Sequence, residues 1–403
     1  MITGKDFVFF GMQSWDTPIG SNCKNIAMEV ARHNRVLYIN RAADRYSLWR
    51  GDKSPEVVNR RRVMRGELPV MEQLSPNFWV YTPPVVLDSV NWVRPQALFD
   101  AWTKINNQRL GRSIQKAIQQ VGFRDFYLFN DNDFLRGPHI QDVLKPAVTI
   151  YYIRDFLLAQ DYFKRHGERT EPALMKQADV VVANSTYLAN YARKYNRHSY
   201  FIGQGCDLSA FSPEAGYAIP DDIKPLRRPI IGYAGALLEF RLDIATIRHL
   251  AVSRPDWQVV LVGPEDDAFR RSDLHGLPNV HFLGAKPFDQ VPAYINSFDV
   301  CINPQALNLN TVGNYPRKVD EYLALGKPVV ATATEAMELF AGHSYLCADK
   351  EAYVGQVERA LAEDDADRQR ARRAFALGHT WENNVAELYR AINLAIPEAV
   401  YAK

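Results

Sequence analysis

Between Pro316 and Thr332 the chain reads PRKVDEYLALGKPVVAT, with a cation, Lys318, three residues before a carboxylate, Glu321. Val319, Tyr322, Leu323 and Leu325 recur at helical spacing, Pro316 suits a helix start, and Gly326 with Pro328 suits its end. The run opening at Val329 reads as a strand. Residues three apart share one face of a helix, so Lys318 and Glu321 form either a solvated ion pair or a pair that acts together. Adjacent hydroxyls, such as those of a ribose, donate two hydrogen bonds to a carboxylate, while an ammonium neutralises a diphosphate. A nucleotide needs both at about this separation.

Two loops extend the constellation. ALNLNTVGNYPRK (306–318) follows the strand-like DVCINP, and its Asn310, Thr311, Val312, Gly313 and Asn314 offer backbone and side-chain donors. GYAGALLEFRLD (232–243) places Gly232 and Gly235 at a strand end, with Arg241 and Asp243 leading into a helix. Glycine lets a backbone approach a ligand closely, and amides at a helix start attract phosphate. The spacing is neither GxGxxG nor GxxxxGK[ST], and a strand end with a surface arginine fits the same letters.

These residues need a frame that gathers loops at one edge. Strand-like runs alternate with helix-like ones along all 403 residues, which predicts parallel sheets with crossover helices. In the first half strands are expected at 7–12, 35–40, 77–84, 125–130, 147–153 and 179–185, with helices near 22–33, 95–121, 171–178 and 186–195. The segment 41–75 shows little periodicity and is expected to be irregular. After PDDIKPLRRP (220–229) the pattern restarts, with strands at 230–237, 257–264, 279–284, 299–304, 327–333 and 344–349. Helices should begin near Asp243, Phe288, Arg317 and Thr334, and the chain beyond Glu351 should be helical with a break near LGHT (377–380). Two doubly wound domains joined near 203–225 follow, with ligands at the carboxyl ends of their strands, in a cleft between facing edges.

Composition narrows the function classes. A net charge of +2 leaves no general polyanion-binding field, so nucleic acid is not the expected partner. Cys23, Cys206, Cys301 and Cys347 are scattered without zinc spacing and read as free thiols of a reducing compartment. No DxD directly follows a strand in the second half; Asp221–Asp222 and Asp266–Asp267 read as solvated loop acids, and no metal site is expected. No apolar run reaches the ~20 residues that span a bilayer, and the short FVFFGM is no signal peptide. The expected location is the cytoplasm. NRRRVMR (59–65), with Trp49 upstream and NFWVYTPPVVLDSVNWVRP downstream, is either a solvated basic face or a surface that rests on anionic headgroups at the inner face of the plasma membrane.

With these residues in view, the chain resembles the GT-B glycosyltransferases, in particular the retaining glycosyltransferase family 4 of bacterial surface polysaccharide assembly. The likeness is carried by GYAGAL, RPDWQVVLVGP, NVHFLGAKPFDQVPAYINSFDVCINP and PRKVDEYLALGKPVVAT. FIGQGCDLSAF (201–211) resembles the interdomain segment and HTWENNVAELYRAI (379–392) the terminal helix. The first half matches more loosely, through FGMQSWDTPIGSNCKNIAMEVARHNRVLYIN, AVTIYYIRD and DVVVANSTYLANYARKY. The resemblance implies an acceptor-binding Rossmann-like domain over 1–205, a nucleotide-sugar-binding one over 206–380, and a C-terminal helix over 381–403 that crosses back onto the first.

It also implies roles. Glu321 matches the glutamate that holds the ribose hydroxyls, Lys318 a basic residue at the diphosphate, and Arg241 a second cation. Gly235, Gly284 and Gly20 belong with the donor-binding positions, base contacts fall around Phe282–Lys286, and Asp155 stands where a polar residue faces the reacting sugar. Asp16 and Asn22 can contact a hydroxyl; His139 fits a surface loop better than a base. One departure is Gly313, where many members carry a glutamate that contacts the sugar, so those contacts would come from amides around Thr311–Asn314. The implied activity is retaining, metal-independent transfer of a hexose from a UDP- or GDP-linked sugar, used as substrate without further cofactor, to a glycan or lipid-linked glycan. Alternatives are a nucleotide-sugar-binding scaffold without turnover and an epimerase of the same architecture.

Overall fold

The computed structural model describes residues 1–17 and 20–396. The chain divides into two compact units, Met1–Gly203 together with the segment from Trp381, and Gln204–Thr380. The last seven residues of the expected C-terminal helix, 397–403, lie outside the described residues.

Unit 1 is built on β1 (Asp6–Gly11), β2 (Arg35–Ile39), β3 (Ala43–Asp44), β4 (Met71–Ser75), β5 (Phe78–Tyr81), β6 (Val86–Leu87), β7 (Tyr127–Asp131), β8 (Val148–Ile153), β9 (Val180–Ala183) and β10 (Ser199–Phe201). Eight of these form one sheet in the order β10-β9-β8-β7-β1-β2-β5-β4, parallel except where β4 runs antiparallel to β5, and β3 pairs with β6 separately. The central strands read as continuous apolar runs because both faces are covered, as parallel sheets require. The helices are α1 (Asn22–Val30), α2 (Arg45–Trp49), α3 (Pro55–Met64), α4 (Gln96–Gln120), α5 (Ile140–Leu144), α6 (Asp161–Gln177) and α7 (Thr186–Arg193).

Unit 2 carries one all-parallel sheet in the order β13-β12-β11-β14-β15-β16, from β11 (Ile230–Ala234), β12 (Gln258–Val262), β13 (Val280–Gly284), β14 (Val300–Asn303), β15 (Val329–Thr332) and β16 (Tyr345–Cys347). Its helices are α8 (Ile244–Ser253), α9 (Asp267–Arg270), α10 (Val291–Asn296), α11 (Arg317–Ala324), α12 (Ala352–Glu363) and α13 (Ala366–Leu377). The final helix, α14 (Trp381–Ala395), packs into unit 1, where its Leu388, Tyr389 and Ile392 join the core of Phe7, Phe9 and Ile26 and Asn34 Nδ2 donates to Tyr389 Oη at 2.8 Å. All four cysteines are free and buried.

Two segments depart from the expected pattern for one reason. The stretch 41–75 is not irregular: it folds into α2, α3 and β4, but the inward side of α3 is made by Arg60 and Val63, so no apolar period shows. The helix expected at 171–178 begins at Asp161, and its buried side is His166, Gly167, Thr170, Glu171, Leu174 and Met175. Both helices turn polar side chains inward, and periodicity of apolar residues cannot reveal such a face.

Glu171 is the most consequential of these groups. It is 1% exposed and accepts hydrogen bonds from the hydroxyls of Tyr151 (3.2 Å) and Tyr191 (3.1 Å). Burial outweighs those bonds and pushes its carboxyl up to about 7. The folded state therefore binds a proton that the unfolded chain has already released between its ordinary value of 4.5 and about 7. Across that window this group makes stability fall as pH rises, and the loss levels off above about 7. Glu171→Gln should flatten that part of the stability profile, read from urea midpoints across the window; an unchanged profile would deny the group its role.

Candidate functional site

At the carboxyl edge of unit 2, three neighbouring strands end on or just before a glycine with left-handed backbone: Gly235 after β11 at φ 145°, Gly263 after β12 at 150° and Gly284 at the end of β13 at 69°. The Gly235 amide donates to Val262 O (2.8 Å) and the Gly263 amide to Gly284 O (2.9 Å). A Cβ on Gly263 would lie 1.9 Å from Gly235 O, so no side chain fits there. Gly232 is excluded from the edge. Its missing Cβ makes room for the Phe298 ring, so it serves packing.

Gly235 also touches the side chain that the sequence singles out. A Cβ there would lie 3.1 Å from Lys318 Cε, and Lys318 Nζ stands 5.0 Å from the centre of the Tyr233 ring. Lys318 sits in the first turn of α11, whose Val319, Tyr322 and Leu323 are fully buried. Tyr322 fixes the helix to β11: the Ala234 amide donates to its hydroxyl (2.9 Å), and the hydroxyl donates to Ala234 O (3.2 Å). Glu321 is nearly buried, 14% exposed, with Arg317 at 3.5 Å as its ion-pair partner. Burial pushes its carboxyl up, while Arg317 and Lys318 oppose the shift. Among the described residues neither Lys318 nor Arg241 has a carboxylate in ion-pair contact.

Arg241 is exposed on the loop that leaves Gly235, 5.2 Å from the Phe240 ring centre. That loop is tied down on two sides. The Asp243 amide donates to Pro304 O, the Ala306 amide to Arg241 O, and Asn308 Nδ2 to Phe240 O (2.9, 2.9 and 2.8 Å). Asp266, expected to be a solvated acid, accepts from the amides of Glu239 (2.8 Å) and Phe269 (2.9 Å) and so staples the loop to the start of α9. Asp222 likewise accepts from Lys286 Nζ (2.8 Å) and the Tyr294 hydroxyl (3.1 Å).

The loop 306–318 corrects one expectation. The amides of Asn310, Thr311, Val312 and Asn314 were expected to converge on a ligand, yet each donates within the loop: Asn310 to Asn308 Oδ1, Thr311 and Val312 to Asn308 O, Asn314 to Thr311 O. The loop closes on Thr311, 1% exposed, whose carbonyl accepts from Gln305 Nε2 and whose hydroxyl donates to Ala306 O. The side-chain amides of Asn310 and Asn314 remain half-buried at its surface.

One group escapes a search for ligand chemistry by spacing. Asp320, beside Glu321, is completely buried and accepts from His379 Nδ1 (2.6 Å), the Tyr315 hydroxyl (2.9 Å) and Cys206 Sγ (3.4 Å). The Cys206 amide donates to His379 O (2.8 Å), so both ends of unit 2 meet at the helix that carries Lys318 and Glu321. The signal was an aspartate at an inward helical position, one before Glu321.

In unit 1, Asp155 follows β8 and is half-exposed, 3.7 Å from Arg154 Nη1. Arg154 Nε instead bonds Asp131 Oδ1 at 3.0 Å. Asp131 is completely buried at the end of β7 and its other oxygen has no partner among the described residues. Burial raises its carboxyl above the ordinary range against the pull of Arg154. FNDND after a strand was the available signal, and the sequence reading passed over it. Gly20 is exposed, with open space where a Cβ would stand. Asp16 is held by Arg60 at 2.5 Å and by Asn59 Nδ2 at 3.1 Å, and Asn22 Nδ2 donates to Tyr152 Oη (3.1 Å). His139 lies on a surface turn, 3.5 Å from Asp142.

Two Rossmann-like units with parallel sheets and this glycine-lined edge define a GT-B fold. Residues 228–363 match the family model for glycosyl transferases group 1. A protein of Bacillus subtilis assigned to teichuronic acid biosynthesis as the glycosyltransferase TuaH is 26% identical over 239 residues, which are 56% of this chain and 59% of that protein. The match thus spans less than two thirds of the relative. Among solved structures, Anabaena Alr3699/HepE in complex with UDP superposes with a TM-score of 0.65 at 16% identity, over 96% of this chain and 100% of that one. Sucrose-phosphate synthase of Thermosynechococcus elongatus gives 0.62 at 17%, over 97% and 100%.

Removing Asp320 leaves the Tyr315 hydroxyl and the His379 ring without their buried acceptor, at a typical cost of about 1–3 kcal/mol. Asp320→Ala should lower the free energy of unfolding by about that amount in urea melts. A midpoint equal to that of the wild type would show that the cluster does not hold α11.

Proposed function

We propose that the chain is a retaining, metal-independent hexosyltransferase that uses a nucleotide-diphosphate sugar, UDP- or GDP-linked, and a glycan or lipid-linked glycan acceptor of surface polysaccharide assembly. The observation that carries this reading is the first turn of α11. A nearly buried carboxylate, Glu321, stands three residues from Lys318, whose stem lies beside Gly235 and which has no carboxylate in ion-pair contact among the described residues. The family match of residues 228–363, the TuaH relative and the UDP complex of HepE support it.

In this reading Glu321 accepts from the two ribose hydroxyls. Lys318 and Arg241 neutralise the diphosphate, and the glycine-ended strands let the backbone come close to it. The acceptor oxygen bonds to the anomeric carbon on the face from which the diphosphate leaves. The bond from that carbon to the phosphate oxygen breaks, and this oxygen takes the acceptor's proton. The cations stabilise the charge that develops. Asp155 is the candidate polar group toward the sugar from unit 1.

The engaged amides of Asn310, Thr311, Val312 and Asn314 favour a second reading, a nucleotide-sugar-binding subunit without turnover. Calorimetric titration of UDP, GDP, ADP and dTDP into wild type and Glu321→Ala should show one nucleotide binding at micromolar affinity, weakened about tenfold or more by the substitution. Lys318→Ala should retain binding of a bare nucleoside better than turnover, which should fall about 100- to 1,000-fold. Binding with no sugar transfer across acceptors would favour the subunit; no nucleotide binding at all would defeat both readings.

A further inference from the structure

Unit 1 leaves an apolar stripe uncovered on α4. Phe99, Thr103, Asn106, Leu110 and Ile114 turn inward and are buried, whereas Leu98, Trp102 and Ile105 are exposed at positions i, i+4 and i+7. Trp92 widens the stripe: it is 65% exposed, its ring lies edge-on to Trp102 with centroids 6.2 Å apart, and its indole N–H donates to Ser89 O at 2.6 Å. The Tyr46 amide donates to the Ser89 hydroxyl (3.3 Å), which brings α2 alongside with Trp49, 81% exposed. Asn91 Nδ2 donates to Tyr162 O (2.7 Å), adding another exposed ring.

The charge around these rings is predominantly positive. Apart from Arg60, segments 41–67 and 88–116 hold twelve Lys and Arg against six Asp and Glu, whereas the whole chain is only +2. Of the acids near the stripe, Asp88 pairs with Arg45 (2.7 Å) and Arg109 (3.5 Å) and Asp100 with Arg169 (2.5 Å), while Asp44 accepts from the Ser89 hydroxyl (2.9 Å). The exposed cations Arg94 and Lys104 have no carboxylate partner among the described residues. Arg60 does not belong to this field, being buried against Asp16.

We infer that this face docks onto an anionic lipid bilayer. Tryptophan and tyrosine settle at the headgroup boundary, where the ring is buried and the N–H or O–H stays wet, and cations there meet lipid phosphate. Leu98 and Ile105 decide between ligands. A hydrated polyanionic glycan can stack on rings and pair with arginine, but aliphatic side chains gain from entering the acyl boundary. The inference is independent of the donor reading, because vesicle binding needs no nucleotide.

The test is co-sedimentation of the full chain with vesicles of phosphatidylcholine alone or mixed with phosphatidylglycerol. Wild type should bind the mixed vesicles, bind the neutral ones far less, and be released by high salt. The double variant Leu98→Glu/Trp102→Glu should lose about tenfold or more of that affinity, and Arg94→Glu/Lys104→Glu several-fold, with urea midpoints near wild type because all four positions are exposed. Equal binding by the variants, or no binding of mixed vesicles by the wild type, would overturn the inference. So would retention on a soluble polyanionic glycan but not on vesicles. Nucleotide titration of the same variants should match wild type, which separates a lost surface from a lost donor site.

Discussion

The close approach of Gly235 and Gly263 governs everything that unit 2 presents at its edge. With Gly235 O within 1.9 Å of where a Cβ of Gly263 would stand, the ends of β11 and β12 meet backbone to backbone. That contact sets the departure of the loop 235–243, which in turn anchors the loop after β14 through Asp243, Ala306 and Asn308. It also leaves the space beside Gly235 that the Lys318 side chain fills. A side chain at Gly263 would have to displace the backbone of Gly235, whereas one at Gly235 would meet the Tyr233 hydroxyl and the Lys318 stem.

The helix that carries Lys318 and Glu321 is positioned by two different kinds of force. Val319, Tyr322 and Leu323 bury apolar surface against the sheet, which fixes its face but tolerates small slides. The bonds of the Tyr322 hydroxyl to Ala234 and of Asp320 to His379 and Tyr315 are directional and fix its rotation. Directional bonds in a low-dielectric interior allow fewer alternatives than packing does. Adjacent residues on α11 thus divide the work, Asp320 facing the interior and Glu321 the edge.

How much of this the chain reveals by itself depends on what faces inward. Where the inward side is apolar, as in α11 and the central strands, period and turn residues locate the element to within about three residues. Where the inward side is polar, as with Arg60 of α3 and Glu171 of α6, the same reading finds a loop or a late start. The site shows the same division. Lys318, Glu321 and Gly235 are legible because their types state their chemistry. Asp320 and Asp131 are not, because their partners, His379 and Arg154, are distant or unremarkable in sequence. Nor could the residue types of 310–314 show that the side-chain and main-chain oxygens of Asn308 and the carbonyl of Thr311 would engage the loop's own amides.

The buried cysteines set how this molecule meets an electrophile. Burial raises the thiols of Cys23, Cys206 and Cys301 far above their ordinary range and pushes Cys347 up to about 12. The nucleophile is the thiolate, so none of the four is present in reactive form near neutral pH. The folded surface is chemically silent toward thiol reagents, and a single cysteine placed on it, for instance in the aromatic face of α4, would be the only position that a maleimide or a spin label could address.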